Sequence, residues 1–94
     1  MITIHAVKYT NHSKSANRKL RLDNQLPAVV YGGNKDPISI ILDQNILMKL
    51  KNQKEFIYQS LILIIDGNDH QVKVQEIQFH PFKPIILHID FMRI

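Results

Sequence analysis

Residues 56–79, FIYQSLILIIDGNDHQVKVQEIQF, contain the turn around which the predicted sheet is organised. Phe56 to Ile65 is strongly apolar and is typical of a buried strand. Asp66-Gly67 follows at once, and this dipeptide between two strands is a strong signal for a tight β-hairpin. We therefore expect the return strand to run from about His70 to Phe79.

The return strand contains a break in its alternating pattern. Val72 and Val74 share one face of the strand. Ile77 and Phe79 follow at odd spacing, so they can face the core only if the phase slips. The slip predicts a β-bulge near Gln75–Glu76. The outward positions are then Lys73, Gln75 and Gln78. An exposed glutamine is usually only polar surface, but its amide both donates and accepts and can read base edges.

Four further strands are predicted on either side of this hairpin, at Met1–Tyr9, Leu26–Tyr31, Pro37–Leu42 and Ile85–Arg93. Two short helices are predicted, one from a Ser13 N-cap to about Asn24 and one capped by Asp43. Six strands in so short a chain hide their edges most readily by closing on themselves. We therefore expect a mainly β fold with some α, a closed or nearly closed six-stranded β-barrel.

Length and composition restrict the class of protein. Ninety-four residues, 45% of them hydrophobic, suffice for one packed domain, which we expect to span residues 1–94. The chain has no cysteine, so the fold uses no disulfide and no thiolate metal site. No apolar run approaches the roughly 20 residues that span a bilayer, and the alternating N-terminus is unlike a signal peptide. We expect a cytoplasmic protein that binds no membrane.

The excess positive charge lies near the N-terminus. Residues 1–22 contain no acidic residue but five basic ones, Lys8, Lys14, Arg18, Lys19 and Arg21. In a helix, Lys14, Arg18 and Arg21 fall within about 60° of one another. Asn17 lies beside this cationic stripe, and Leu20 lies opposite, where it can pack on the sheet. A solvated helix face is the plain interpretation, but a stripe without carboxylates favours a polyanionic partner.

The last predicted strand places a histidine and an aspartate on one face. Its core face is predicted to carry Ile85, Leu87, Ile89 and Phe91, with Ile86, His88, Asp90 and Met92 outward. His88 and Asp90 are then about 7 Å apart along the strand. They can serve acid–base chemistry, bind a metal with His80 or His70, supply hydrogen bonds to a partner, or form a surface pair without function. The chain shows no accompanying nucleophile and no recognised metal-binding spacing, so we expect no metal and no cofactor.

Four segments together resemble one protein family: KSANRKLRLDNQLPAVVYGG at 14–33, LIIDG at 63–67, VKVQEIQFHPFKP at 72–84 and HIDF at 88–91. They are similar to bacterial large-subunit ribosomal proteins of the L-twenty-five family, in its short single-domain form. The resemblance covers essentially the whole chain. It implies a six-stranded β-barrel with two or three helices, a place in the large ribosomal subunit and binding to an internal loop of 5S rRNA. We expect the free protein to be a monomer.

The resemblance implies RNA-binding positions at Lys14, Asn17, Arg18, Arg21, Tyr31, Gln75, Gln78, His88 and Asp90. Four positions depart from the family's usual pattern. Ser13 and Ser15 stand where many relatives have glycine, Asn17 stands where a serine is common, and Phe79 stands where a basic residue can occur. The alternative function left open is a small RNA-processing or metal-dependent enzyme that uses the His88 and Asp90 pair.

Overall fold

The computed structural model of the protein describes residues 1–9 and 14–94, with side chains in the second range from residue 18 onward. The described residues form six strands and three short helices: β1 (Thr3–Lys8), α1 (Lys14–Leu22), β2 (Gln25–Tyr31), β3 (Ile38–Asp43), α2 (Gln44–Leu50), α3 (Lys54–Tyr58), β4 (Leu61–Ile65), β5 (Asn68–Phe79) and β6 (Ile86–Arg93). None of these helices has the length and apolar character that crossing a bilayer requires.

The six strands close into one barrel in the order β1-β3-β2-β6-β5-β4, with β4 paired to β1. The β1–β4 and β2–β6 pairs are parallel, and the other four pairs are antiparallel. Closure gives every strand a partner on both sides, which removes the exposed edges of an open sheet. The predicted fold, a closed six-stranded barrel with two or three short helices, is therefore confirmed.

Alternate residues of the strands fill the barrel interior. The core includes Ile4, Leu26, Val30, Ile40, Leu42, Leu47, Phe56, Leu61, Leu63, Ile65, Val72, Ile86, Ile89 and Phe91. Leu47 of α2 and Phe56 of α3 have no exposed surface, so these two helices contribute to the same core. Because the inward positions are used in packing, the outward side chains of the strands are the ones available for contacts with a partner.

The hairpin forms as predicted. Ile65 pairs with Asn68 across a two-residue turn, in which Asp66 has a φ of 52° and Gly67 a φ of 80°. Positive φ at both central positions is the geometry of a type I′ turn, whose twist matches that of the flanking strands.

The strand before the hairpin is shorter than predicted. β4 begins at Leu61, and the preceding residues Lys54–Tyr58 form helix α3. The prediction of a strand from Phe56 is wrong because a short apolar run is compatible with a buried strand and with a buried helix segment alike. Phe56 reaches the core from the helix instead, where it is fully buried.

The β5–β6 ladder contains two irregularities. The first lies between Val74 and Glu76 and leaves Gln75 without a partner in the register, which confirms the predicted bulge. The second lies between Gln78 and Phe79, where the partners on β6 are His88 and Ile86 and Leu87 is skipped.

The second irregularity overturns two predictions about which side chains face the core. Phe79 is 50% exposed, so its predicted burial is wrong. Ile86 is 1% exposed, although strict alternation predicts it on the outward face, and Leu87, predicted to face the core, is partly exposed. Because Leu87 has no partner in the register, the alternation of β6 shifts by one residue at that point.

Candidate nucleic-acid interface

The outer surface of three neighbouring strands brings the predicted strand residues together. β2, β6 and β5 are adjacent in the barrel. Asp90 of β6 pairs with Val29 of β2 on one side, and His88 pairs with Gln78 of β5 on the other. Tyr31, at the end of β2, pairs with the residue two positions beyond Asp90. We call this region the strand surface; its polar and aromatic members are Tyr31, Gln75, Glu76, Gln78, His88 and Asp90.

His88 and Asp90 contact each other within the strand surface. Nδ1 of His88 lies 3.2 Å from Oδ1 of Asp90, and the side chains are 37% and 30% exposed. The two residues therefore share one face, as the spacing predicts. Each restricts the orientation of the other, and both remain accessible to a partner.

Sequence reasoning missed Glu76, which pairs directly with Asp90 across the ladder and is exposed. The signal was present in the bulge argument. If Ile77 faces inward, both of its neighbours, Glu76 and Gln78, must face outward. Two carboxylates at directly opposed strand positions repel each other. A partner that offers hydrogen-bond donors relieves this repulsion.

Helix α1 displays the cations that the sequence predicts there. The helix contacts β2, and Leu20 is only 6% exposed, so the predicted apolar side of the helix is buried. Arg18, Lys19 and Arg21 are exposed. In the described part of the chain, no carboxylate lies within ion-pair distance of any of these three. The helix therefore carries uncompensated positive charge.

The remaining N-terminal predictions have different outcomes. Lys8 Nζ lies 3.7 Å from Asp66 Oδ2, so the charge of this lysine is partly compensated by the turn between β4 and β5. The backbone of α1 begins at Lys14, as predicted. The Ser13 cap and the side chains of Lys14 and Asn17 lie outside the described residues and side chains.

The end of α1 lies beside the start of β6. Arg21, Pro27 and Leu87 help to line one small cavity of about 40 Å³. Asn24 follows the helix with a φ of 60°, and its carbonyl accepts a 2.9 Å bond from the backbone N–H of Gln44. Because Leu87 directly precedes His88, the cationic helix and the strand surface adjoin.

The buried side chain of Gln44, at the start of α2, holds the first residue of β6. Its Nε2 donates to the carbonyl of Ile86 and its Oε1 accepts from the N–H of Ile86, both at 2.9 Å. The amide thus makes the two bonds that a backbone partner makes in a regular ladder. Gln44 fixes the backbone two residues before His88, next to the irregularity at Leu87.

Arg93 holds the loop that follows Tyr31. Its guanidinium donates to the carbonyl of Gly32 at 2.7 Å and to that of Asp36 at 2.8 Å. Gly32 has a φ of 94°, and a Cβ at this position would lie 3.3 Å from Cγ of Met92. The glycine after Tyr31 is therefore required both by the backbone conformation and by the close approach of β6.

The positions of the described histidine and carboxylate side chains bear on the metal-site alternative. Within the two described ranges, no three His, Cys, Asp or Glu side chains lie close enough together to hold a metal ion. His80, a candidate ligand from the sequence, uses Nδ1 to accept 3.0 Å bonds from the backbone N–H groups of Phe82 and Lys83. That nitrogen organises a loop. His88 and Asp90 together present hydrogen-bonding groups on the outer surface of β6.

Comparisons with known proteins match almost the whole chain. The Ribosomal L25p family matches residues 4–91. The large ribosomal subunit protein bL25 of Sodalis glossinidius (strain morsitans) is 47% identical over 93 residues, which cover 99% of each protein. The protein of the same name from Serratia proteamaculans (strain 568) is 44% identical over 94 residues, which cover 100% of each. These names describe a ribosomal protein and not an enzyme. The chain therefore belongs to the Ribosomal L25p family.

Proposed function

We propose that this protein is a structural component of the bacterial large ribosomal subunit and that it binds 5S rRNA. Family membership and the names of the relatives support the ribosomal role. The observation that carries RNA binding is the junction of the uncompensated cationic helix α1 with the strand surface. In this role the chain acts in the cytoplasm as one RNA-binding domain, is a monomer when free and needs no cofactor.

Helix α1 suits an RNA helix with a widened groove. Regular A-form RNA has a deep, narrow major groove that side chains cannot read. Internal loops with non-Watson–Crick pairs change the groove width and expose base edges. A helix of nine residues can then lie across the opening, with Arg18 and Arg21 on phosphates. These contacts supply affinity because each neutralised phosphate releases counterions.

The strand surface supplies the register of binding. Gln75 and Gln78 offer donors and acceptors, whereas the carboxylates of Glu76 and Asp90 only accept. A carboxylate that faces RNA must avoid phosphates, so we assign Glu76 and Asp90 to base amino groups or ribose hydroxyls. Contacts of this kind carry the sequence and shape information that phosphate contacts lack.

A salt-dependent titration against 5S rRNA, with a tRNA as control, tests the proposed function. The wild-type protein should bind 5S rRNA more tightly than the tRNA, and its affinity should fall as salt rises. Arg18→Ala should weaken binding to 5S rRNA and lower the salt slope by about one unit or somewhat less.

Lys19→Ala is the matched control, because Lys19 is the next exposed cation of α1 but points about 100° away around the helix. It should weaken binding much less than Arg18→Ala. Equal losses from the two variants would contradict the assigned face of α1. A wild-type protein that binds 5S rRNA and the tRNA equally would contradict the proposed function itself.

A further inference from the structure

The connection between β5 and β6 displays an aromatic ring to solvent. We call residues 79–84, FHPFKP, the aromatic loop. Phe82 is 92% exposed, the highest value among the large apolar side chains of the described residues. Phe79, at the base of the aromatic loop, is 50% exposed. Two aromatic side chains are therefore available on one short segment.

The aromatic loop is held in a defined conformation. Nδ1 of His80 accepts from the backbone N–H groups of Phe82 and Lys83, both at 3.0 Å. The N–H of His80 donates to the carbonyl of Ile85 at 2.9 Å, and the N–H of Ile85 donates to the carbonyl of Lys83 at 2.8 Å. Pro81 and Pro84 further restrict the backbone of the loop, because a proline ring fixes its own φ. A ring presented in this way loses little further backbone entropy on binding.

The ring of Phe82 also has an ordered neighbour. The rings of His80 and Phe82 lie with centroids 6.2 Å apart at an interplanar angle of 63°, an edge-to-face arrangement. This contact leaves Phe82 almost fully exposed. Its flat faces remain available to another planar group.

The position and charge of the aromatic loop favour RNA over a protein partner. The loop directly follows Gln78, which pairs with His88 on the strand surface. It contains Lys83 and no acidic residue. A cation next to an exposed aromatic ring suits an unpaired base and its phosphate, because bases stack on aromatic side chains while lysine neutralises the backbone.

We propose that Phe82 stacks on an unpaired base of the 5S rRNA held by α1 and the strand surface, and that Lys83 contacts a neighbouring phosphate. The aromatic loop thereby extends the interface beyond the helical segment of the RNA and selects RNA in which an unpaired base flanks that segment. This inference rests on the proposed function and adds a contact that phosphate binding by α1 does not require.

Three substitutions at one position test the stacking. Titrations of 5S rRNA at fixed salt should show that Phe82→Ala and Phe82→Leu each weaken binding by about tenfold, whereas Phe82→Tyr binds like wild type. The salt slope should stay unchanged in all three, because stacking releases no counterions, but should fall in Lys83→Ala. Melting curves should be unchanged because Phe82 makes almost no buried contact.

Val7→Ala is the matched control, because Val7 is 63% exposed and lies on β1, which faces β6 across the ring of six strands. It should leave binding unchanged. If Phe82→Leu binds like wild type while Phe82→Ala does not, the residue fills an apolar pocket and the stacking is wrong. If all the Phe82 variants bind like wild type, Phe82 does not contact the RNA and the stacking is wrong. Either result leaves the proposed function intact as long as wild type prefers 5S rRNA to the tRNA.

Discussion

Loss of the Gln44 amide should destabilise the protein, because this side chain holds the first residue of β6. Gln44→Met keeps an unbranched side chain of similar length but removes both hydrogen-bonding groups. The N–H and the carbonyl of Ile86 then lose their 2.9 Å partners, and because Ile86 is only 1% exposed, only a water in the small cavity that Gln44 and Ile86 help to line can replace them.

The expected magnitude follows from the number of groups left unpaired. A buried donor or acceptor without a partner costs about 1–3 kcal/mol. Two such groups cost about 2–6 kcal/mol, partly offset because the buried methionine no longer carries a polar amide. We expect a net loss of about 2–4 kcal/mol in the free energy of unfolding, a large part of the roughly 5–15 kcal/mol of an ordinary domain. A loss of about 2 kcal/mol alone lowers the melting temperature of a domain of this size by roughly 8–16 °C.

Urea and thermal unfolding of both variants provide the assay. Gln53→Met is the matched control, because its Nε2 makes an exposed 3.3 Å bond to the carbonyl of Lys49. It should change stability by less than about 0.5 kcal/mol. A Gln44→Met protein as stable as Gln53→Met would refute the idea that this amide replaces a backbone partner of β6. A large loss from both would show that the substituted methionine itself is harmful.

Two further predictions address the strand surface and its supporting loop. Asp90→Asn should weaken specific binding to 5S rRNA by about 1–3 kcal/mol, because an acceptor oxygen is lost. Binding to the tRNA should stay level or rise, because a negative charge is removed. Parallel titrations measure both affinities, and unchanged discrimination between the two RNAs would exclude Asp90 from recognition. The stability of this variant should change little, since the weakened contact with His88 is opposed by relief of repulsion from Glu76. Multiple-turnover RNA cleavage by wild type that disappears in Asp90→Asn would instead favour the enzyme alternative. Gly32→Ala should lower the free energy of unfolding by about 1–3 kcal/mol, because the alanine must adopt a positive φ and its Cβ would lie 3.3 Å from Cγ of Met92. A melting temperature equal to wild type would show that the loop adjusts.

Local chemistry in the sequence was sufficient for much of the fold. Asp66-Gly67 adopts the two positive φ values that the dipeptide favours, and the hairpin follows from them. Asp43 caps α2 by accepting from the N–H of Asn45 at 2.8 Å, as expected of an aspartate at that position. The bulge at Gln75 was deducible because a phase slip between apolar residues is visible along one strand. Each of these features depends on residues close together in the chain.

The same local reasoning found most of the candidate interface. Alternation along β6 is enough to place His88 and Asp90 on one face, and helical periodicity is enough to separate Leu20 from Arg18. Glu76 could have been found by the same argument. Which strands stand side by side could not be read from any single segment, because the strand order of a closed barrel depends on contacts that span the chain.

Tertiary structure alone decided where the alternation of inward and outward side chains is interrupted. The amide of Gln44 holds Ile86 from 42 positions away in the sequence, beside the skipped Leu87 that reverses the faces at the start of β6. Arg93 reaches the carbonyl of Gly32 across 61 positions. The sequence by itself determined the six strands, two of the three helices and, except around Phe79 and the start of β6, the polarity of their faces, because these follow from turn chemistry and periodicity. Contacts between residues far apart in the sequence decided three features: the register of β6, the exposure of Phe79 and the junction of α1 with the strand surface. These features depend on which distant groups satisfy each other's hydrogen bonds and pack together.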